Sequence, residues 1–277
     1  MKRFPYLHLV LFVLTFFSTL FAGALHAGVN IVNEPLMIYK GFPFSAALLL
    51  ILLSHELSHY LASKSHRVRA TLPYFIPAPT FFGTFGAFIK MKSPIYTNNA
   101  LMDIGASGPI AGFIVSVAAA VAGLFFSDIA LVPRTEGMII LGDSLLFSGL
   151  SKLILGSAPA GHDVLLHPVA LAGWIGFFVT SLNLIPVGQL DGGHILYALI
   201  GERHVKLSKA LIVVLVVLGV VAYEGWLVWA VLLIVLGFRH PPILYPEMPL
   251  DPRRRKIGWL ALVIFVLTFT PVPIRML

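Results

Sequence analysis

Apolar residues run along this chain in long unbroken blocks, with neither the alternation of a half-buried strand nor the single stripe of a surface helix. Blocks at 6–25, 44–64, 104–126, 165–186, 208–222, 225–238 and 257–273 predict α-helices that are apolar all round, as helices crossing a bilayer are. Tyr223-Glu224-Gly225 places a charge and a glycine between two of these blocks, which favours a tight helical hairpin over one long helix. The reading is seven spans, or six if 208–238 is continuous.

The stretch 70–92, ATLPYFIPAPTFFGTFGAFIKMK, departs from that pattern. Pro73, Pro77 and Pro79 forbid a continuous helix, and the stretch is too aromatic to rest in water. Short strands at 74–76 and 84–90 fit it better. Strand backbone cannot face lipid unpaired, so such a ribbon must enter a protein-lined cavity or receive a partner strand. The expected fold is an all-α polytopic membrane protein of six or seven transmembrane helices, with a small membrane-embedded β region after the second helix. It forms one integral membrane domain over 1–277.

Composition agrees. Hydrophobic residues make up 58% of the 277 positions and charged residues 11%, against about 25% charged in soluble domains. The formal charge of +7 would suggest nucleic acid in a soluble protein, but the bases cluster at span ends, so topology is the better cause and no nucleic-acid partner is expected. The first block follows Lys2 and Arg3 as a secretory signal would. Its apolar run outlasts the 7 to 15 residues of a signal core, which favours a retained helix. The chain has no cysteine, so a metal would have to be held by His, Asp or Glu.

The bases also set an orientation. With seven spans, Lys2 and Arg3, then Lys64, Arg67 and Arg69, then Arg203, Lys206 and Lys209, then Arg253 to Lys256 share one side, expected to be cytoplasmic. The opposite loops, 26–43 and 127–163, hold Glu34, Asp128, Glu136, Asp143 and Asp163. The expected location is the cell membrane, multi-pass.

Within the second span lies SHELSHYLAS, 54–63. His55 and His59 stand one helical turn apart on one face, where two imidazoles reach a single metal ion. Glu56, three residues before His59, is placed to hold a water there and take its proton. Ionisable groups at membrane depth cost roughly 2.5–3.5 kcal/mol each, so they need partners and mark function. One further protein ligand completes such a site. Asp191, in LNLIPVGQLDGGHIL at 182–196, follows a span running inward and so reaches the depth of the histidines. Pro186 breaks that helix, and Gly188, Gly192 and Gly193 allow close backbone approach. His194 is expected to orient the ligands rather than hold the ion. Asn183 could hold a peptide backbone or a developing oxyanion, or satisfy carbonyls freed at Pro186. His66, His204 and His240 lie beside bases and are assigned no chemistry.

These residues together resemble the site-2 protease family, zinc metalloproteases that cut helices inside the membrane. The match rests on HELSH at 55–59, GASGPIAGF at 105–113 and HPVALAGWIGFFVTSLNLIPVGQLDGGHI at 167–195. It covers a core of about 44–200, with 6–25, 208–238 and 257–273 as accessory helices. The resemblance implies one Zn2+ per chain held by His55, His59 and Asp191, Glu56 as catalytic acid and base, and Asn183 as a substrate-binding group. It also implies a strand region after the H-E-x-x-H helix, and close helix packing at Gly108 and Pro109 on the third span. Substrates would be transmembrane proteins, cut at the cytoplasmic side of the bilayer. The loops at 64–103 and 127–163 are too short for the PDZ domain that some members carry. The rival reading is a metal-ion transporter or carrier, which would use the same His and Asp groups in broken helices. Against it, the sequence holds no inverted repeat, and Glu56 sits where a hydrolytic base is wanted.

Overall fold

Helices form at each of the seven predicted blocks in the computed structural model, which describes residues 5–131, 139–159, 161–238 and 240–276. They are α1 (Tyr6–His26), α2 (Phe42–Ser65), α3 (Asn98–Leu124), α5 (Pro168–Asn183), α7 (His204–Val221), α8 (Gly225–Leu236) and α9 (Pro252–Thr268). Two shorter helices, α4 (Leu145–Leu155) and α6 (Asp191–Ile200), complete the α-helices among the described residues, beside 3-10 turns at Pro35–Gly41 and Gly201–Arg203. Four stretches are long and apolar enough to cross a bilayer: Tyr6–His26, Pro35–Ser65, Asn98–Leu124 and Asp191–Val221. Many large apolar side chains of α1, α7 and α8 are exposed, Phe17, Val220 and Val228 among them. Such a surface needs lipid, and the chain is a membrane protein. Lys2, Arg3 and Glu136 lie outside the described residues.

The chain divides into two compact units. The first comprises Met1–Lys92, Ala111–Leu131 and Leu150–Gly176. In it α1 lies along α2, with a buried hydrogen bond of 2.6 Å joining the Thr19 and Ser45 hydroxyls. The proline-rich stretch forms two antiparallel strands, β1 (Tyr74–Pro77) and β2 (Thr84–Phe88), in the register Tyr74↔Phe88 and Pro77↔Thr84. The ribbon lies against α1, where Phe75 meets Phe12 edge-on at 5.0 Å and His8 Nδ1 is 3.1 Å from the Pro73 carbonyl.

A Schellman motif sets the approach to that ribbon. Val68 N–H donates to the Ser63 carbonyl at 2.8 Å and Arg67 N–H to the Lys64 carbonyl at 3.1 Å, with Arg67 in the left-handed region at φ 58°. Small residues line the contact between the second half of α3 and the first half of α5. Gly123 abuts Ala170, Gly173 abuts Ala120, and Gly176 abuts Ser116, as membrane helices without a hydrophobic driving force require. The 127–163 region, read from sequence as a plain loop, contains α4 and a strand pair, β3 (Asp128–Leu131) with β5 (His162–Leu165).

The second unit comprises Ser93–Ile110, Val132–Gly149 and Phe177–Leu277. Its core gathers Leu182, Ile185, Val187, Ile212, Leu215, Trp226, Ala230 and Leu233. The break at Tyr223-Glu224-Gly225 is real: α7 ends at Val221 and α8 begins at Gly225. β4 (Ile139–Leu141) pairs with β6 (Ile274–Met276) near the chain's end. After α8 the chain runs beside the segment entering α3. Leu244 and Tyr245 N–H donate to the Ile95 and Tyr96 carbonyls at 3.2 and 2.8 Å. Asn98 Nδ2 donates to the Pro246 and Met248 carbonyls at 3.1 and 2.9 Å. Asp251 caps α9 through Arg253 N–H, and Arg254 Nε donates to both Asp103 oxygens at 2.9 Å.

Candidate metal centre

Gly41 precedes α2 and Pro43 stands in its first turn, where a missing N–H costs nothing. The helix then runs unbroken through His55, Glu56 and His59, all buried at 4, 6 and 5% exposure. One turn apart, the two imidazoles meet: His55 Nε2 and His59 Nε2 are 3.0 Å from each other. Two nitrogens at about 2.0–2.1 Å from a tetrahedral zinc would stand about 3.3 Å apart. The pair therefore needs to open by only a few tenths of an ångström, and it fits such an ion. A buried pair converging on one point also suits a metal better than a lone structural bond would.

Asp191 opens α6 after the break that follows α5. Between them the 184–190 segment folds back so closely on the first turn of α6 that no side chain fits at Gly192 or Gly193. A Cβ on Gly192 would meet the Leu184 carbonyl, and one on Gly193 the Gly188 carbonyl. Gly188 itself has φ 58° and lies against the Gly237 carbonyl. Ser208 donates to the Pro186 carbonyl at 3.2 Å, tying α7 to the break. A carboxylate in the first turn of a helix is also favoured by the helix dipole. His55, His59 and Asp191, two imidazoles and one carboxylate, are a donor set that could hold one metal ion, and the set is common in hydrolytic zinc sites.

The GASGPIAGF motif takes a sharper form. Pro109 lies inside α3, and two glycines of the motif lie against functional residues in their own units. A Cβ on Gly105 would be 2.9 Å from His194 Cβ and 3.4 Å from the Asp191 carbonyl. A Cβ on Gly112 would be 3.2 Å from His55 Nδ1. Seven residues apart, about two turns, they share one face of α3. Asn183 is the last residue of α5, immediately before the break. Sequence reasoning passed over two further imidazoles. His194 Nδ1 is 2.6 Å from His240 Nε2, and the His240 backbone N–H donates to His204 Nε2 at 3.2 Å. The signal was faint: a histidine before two prolines, beyond the end of a helix.

Comparison with known proteins follows the same residues. The family model for peptidase family M50 matches residues 43–223. The chain is 35% identical over 240 residues to the probable chloroplastic zinc metalloprotease EGY1 of Arabidopsis thaliana, covering 83% of this chain and 43% of that protein. With the same plant's probable chloroplastic zinc metalloprotease EGY2 it shares 29% identity over 245 residues, 86% of this chain and 43% of the relative. With EGY3 of indica rice, also a probable chloroplastic zinc metalloprotease, it shares 28% over 259 residues, 87% and 42%. The chain thus spans less than half the length of these relatives. The matched region holds the H-E-x-x-H helix, the glycine motif of α3 and the Asp191 turn, and the chain belongs to peptidase family M50.

Proposed function

We propose that this chain is an intramembrane zinc metalloprotease that hydrolyses peptide bonds in transmembrane segments of other proteins. The reading rests above all on the buried His55 and His59, whose Nε2 atoms are 3.0 Å apart on one helix with Glu56 between them. In it His55, His59 and Asp191 hold the ion, one per chain. Zinc bound there supplies a Lewis acid for the scissile carbonyl and lowers the pKa of an attacking water toward about 7. Glu56 takes a proton from that water as its oxygen bonds the carbonyl carbon, then passes the proton to the amine as the C–N bond breaks. Asn183 hydrogen-bonds the substrate backbone, and Gly108 and Pro109 pack near the site.

A helical substrate hides its carbonyls in i to i+4 bonds and must be unwound first. The β1–β2 ribbon, membrane-embedded in this reading, takes the extended chain as an added strand. With seven spans and the basic loops inward, as the charge pattern favours, the site would lie toward the cytoplasmic side of the membrane, where the path for water is short. Cutting there would release a fragment to the cytosol, as regulated intramembrane proteolysis requires.

The test uses purified protein in detergent with a model transmembrane substrate. Wild type should cleave it and Glu56→Gln should not, with zinc bound in both. Equal cleavage by the two removes Glu56 from its role. Asp191→Ala should lower zinc content, and an unchanged stoichiometry takes Asp191 out of the ligand set.

A further inference from the structure

Three imidazoles in the second unit form a directed chain. His240 Nδ1 faces the carbonyl of Pro241, which can only accept, so Nδ1 carries the proton. The ring is neutral, since burial first and the neighbouring His194 second push its pKa down to about 3. A neutral ring protonated at Nδ1 has its lone pair on Nε2. That atom is 2.6 Å from His194 Nδ1, so His194 is the donor, and in its neutral form His194 has its own lone pair on Nε2. His204 repeats the arrangement: Nδ1 donates to the Gly201 carbonyl at 2.9 Å, and Nε2 accepts the His240 backbone N–H.

Two contacts then join the segment after α8 to the turn that carries Asp191. Gly237, at φ 87°, passes over Gly188, where no Cβ fits. Three residues on, His240 bonds His194, which is three residues after Asp191 on α6. Tyr197 stacks on the His240 ring with centroids 4.5 Å apart and holds it in place. The segment is itself fixed downstream by its hydrogen bonds to residues 95 and 96.

The geometry points to His240 as a positioning residue for the metal site: by accepting from His194 Nδ1 it fixes the His194 tautomer with Nε2 as acceptor and braces the first turn of α6, where Asp191 sits. The part concerning metal rests on Asp191 being a ligand. Outer partners that orient a metal site typically change metal affinity 10- to 100-fold when lost.

Two variants separate the hydrogen bond from the bulk of the ring. His240→Phe keeps a ring to stack on Tyr197 but has no acceptor, whereas His240→Gln keeps an acceptor near the Nε2 position. Zinc affinity is read by chelator competition, and the His194 tautomer by side-chain nitrogen NMR of the 15N-histidine-labelled 277-residue chain in detergent. H240F should bind zinc about tenfold more weakly and lose the single Nδ1–H form of His194. H240Q should stay within about twofold of wild type and keep that form. An unchanged His194 tautomer in H240F, or equal zinc affinity in H240F and H240Q, overturns the proposal. The tautomer is also read in zinc-free protein, so it decides the His240–His194 bond even if Asp191→Ala shows that Asp191 is no ligand.

Discussion

A Cβ built on Gly112 of α3 would stand 3.2 Å from Nδ1 and 3.3 Å from Cβ of His55, so this imidazole rests on bare helix backbone. Gly112→Ala should force the ring to give way by a few tenths of an ångström, and zinc affinity should fall about tenfold. Gly112→Val adds overpacking that costs about 1–3 kcal/mol. Chelator competition and thermal unfolding in detergent check the pair. Zinc binding in Gly112→Val as tight as in wild type would show that His55 does not need this floor.

Gly105 makes the corresponding prediction for the other half of the site. Its missing Cβ leaves room for His194 Cβ at 2.9 Å and the Asp191 carbonyl at 3.4 Å. Gly105→Ala should push the first turn of α6 away and destabilise the fold by about 1–2 kcal/mol, even though alanine favours the helix by about 1 kcal/mol. Greater stability in the alanine variant would mean that propensity outweighs the contact.

The difference between what sequence revealed and what it hid follows from distance along the chain. His55 and His59 were legible because four residues on a helix fix their common face. The ribbon was legible because three prolines exclude the alternative, and the turn before Asp191 because Pro186 and the glycines mark a break in the helix. Gly105 and Gly112 were visible only as a motif: which neighbours their face would meet depends on tertiary packing. The pairing of Ile139–Leu141 with Ile274–Met276 joins segments far apart in sequence, and no local pattern announces it. His240 lies 46 residues from His194, and an imidazole beside basic residues reads first as a solvated interface group.

Thr84 holds the ribbon together from within. Its buried hydroxyl donates to the Ile76 carbonyl at 2.7 Å and accepts the Gly86 N–H at 2.9 Å. Thr84→Val keeps the shape and leaves those groups without this partner, a loss of about 1–3 kcal/mol. If the ribbon receives substrate, KM should rise several-fold with little change in kcat. Steady-state cleavage of the model substrate reads this, and an unaltered KM alongside lowered stability would confine Thr84 to a structural part.

Arg254 grips Asp103 with a fork: Nε lies 2.9 Å from both carboxylate oxygens and Nη2 2.8 Å from Oδ2. The pair is partly exposed, at 30 and 23%, so its worth is limited to about 1 kcal/mol. Lysine keeps the charge and loses the planar fork. Arg254→Lys should therefore lose most of that stability, nearly as much as Arg254→Ala. Unfolding temperatures at low and at high salt test this, since salt should lower the stability of wild type more than that of Arg254→Ala, in which no pair is left to screen.

Acid should unfold this protein partly through His240. Its folded pKa is pushed down to about 3 by burial and by His194, whereas an unfolded histidine titrates near 6.5. The ring is also faced by His204 and by Tyr197, whose hydroxyl donates to Glu202 at 3.4 Å. Between the two pKa values the unfolded chain binds a proton that the folded one refuses. Stability is then fully present above about pH 6.5 and is lost as pH falls through that window, by up to about 1.4 kcal/mol per unit. Moving from pH 6.5 to pH 5 should cost wild type roughly 2 kcal/mol from this group alone, several degrees in unfolding temperature. His240→Gln removes the titrating ring, so its acid limb should be shallower than wild type's over the same range. Parallel limbs would place the acid sensitivity in other groups and show that the His240 ring accepts its proton without cost to the fold.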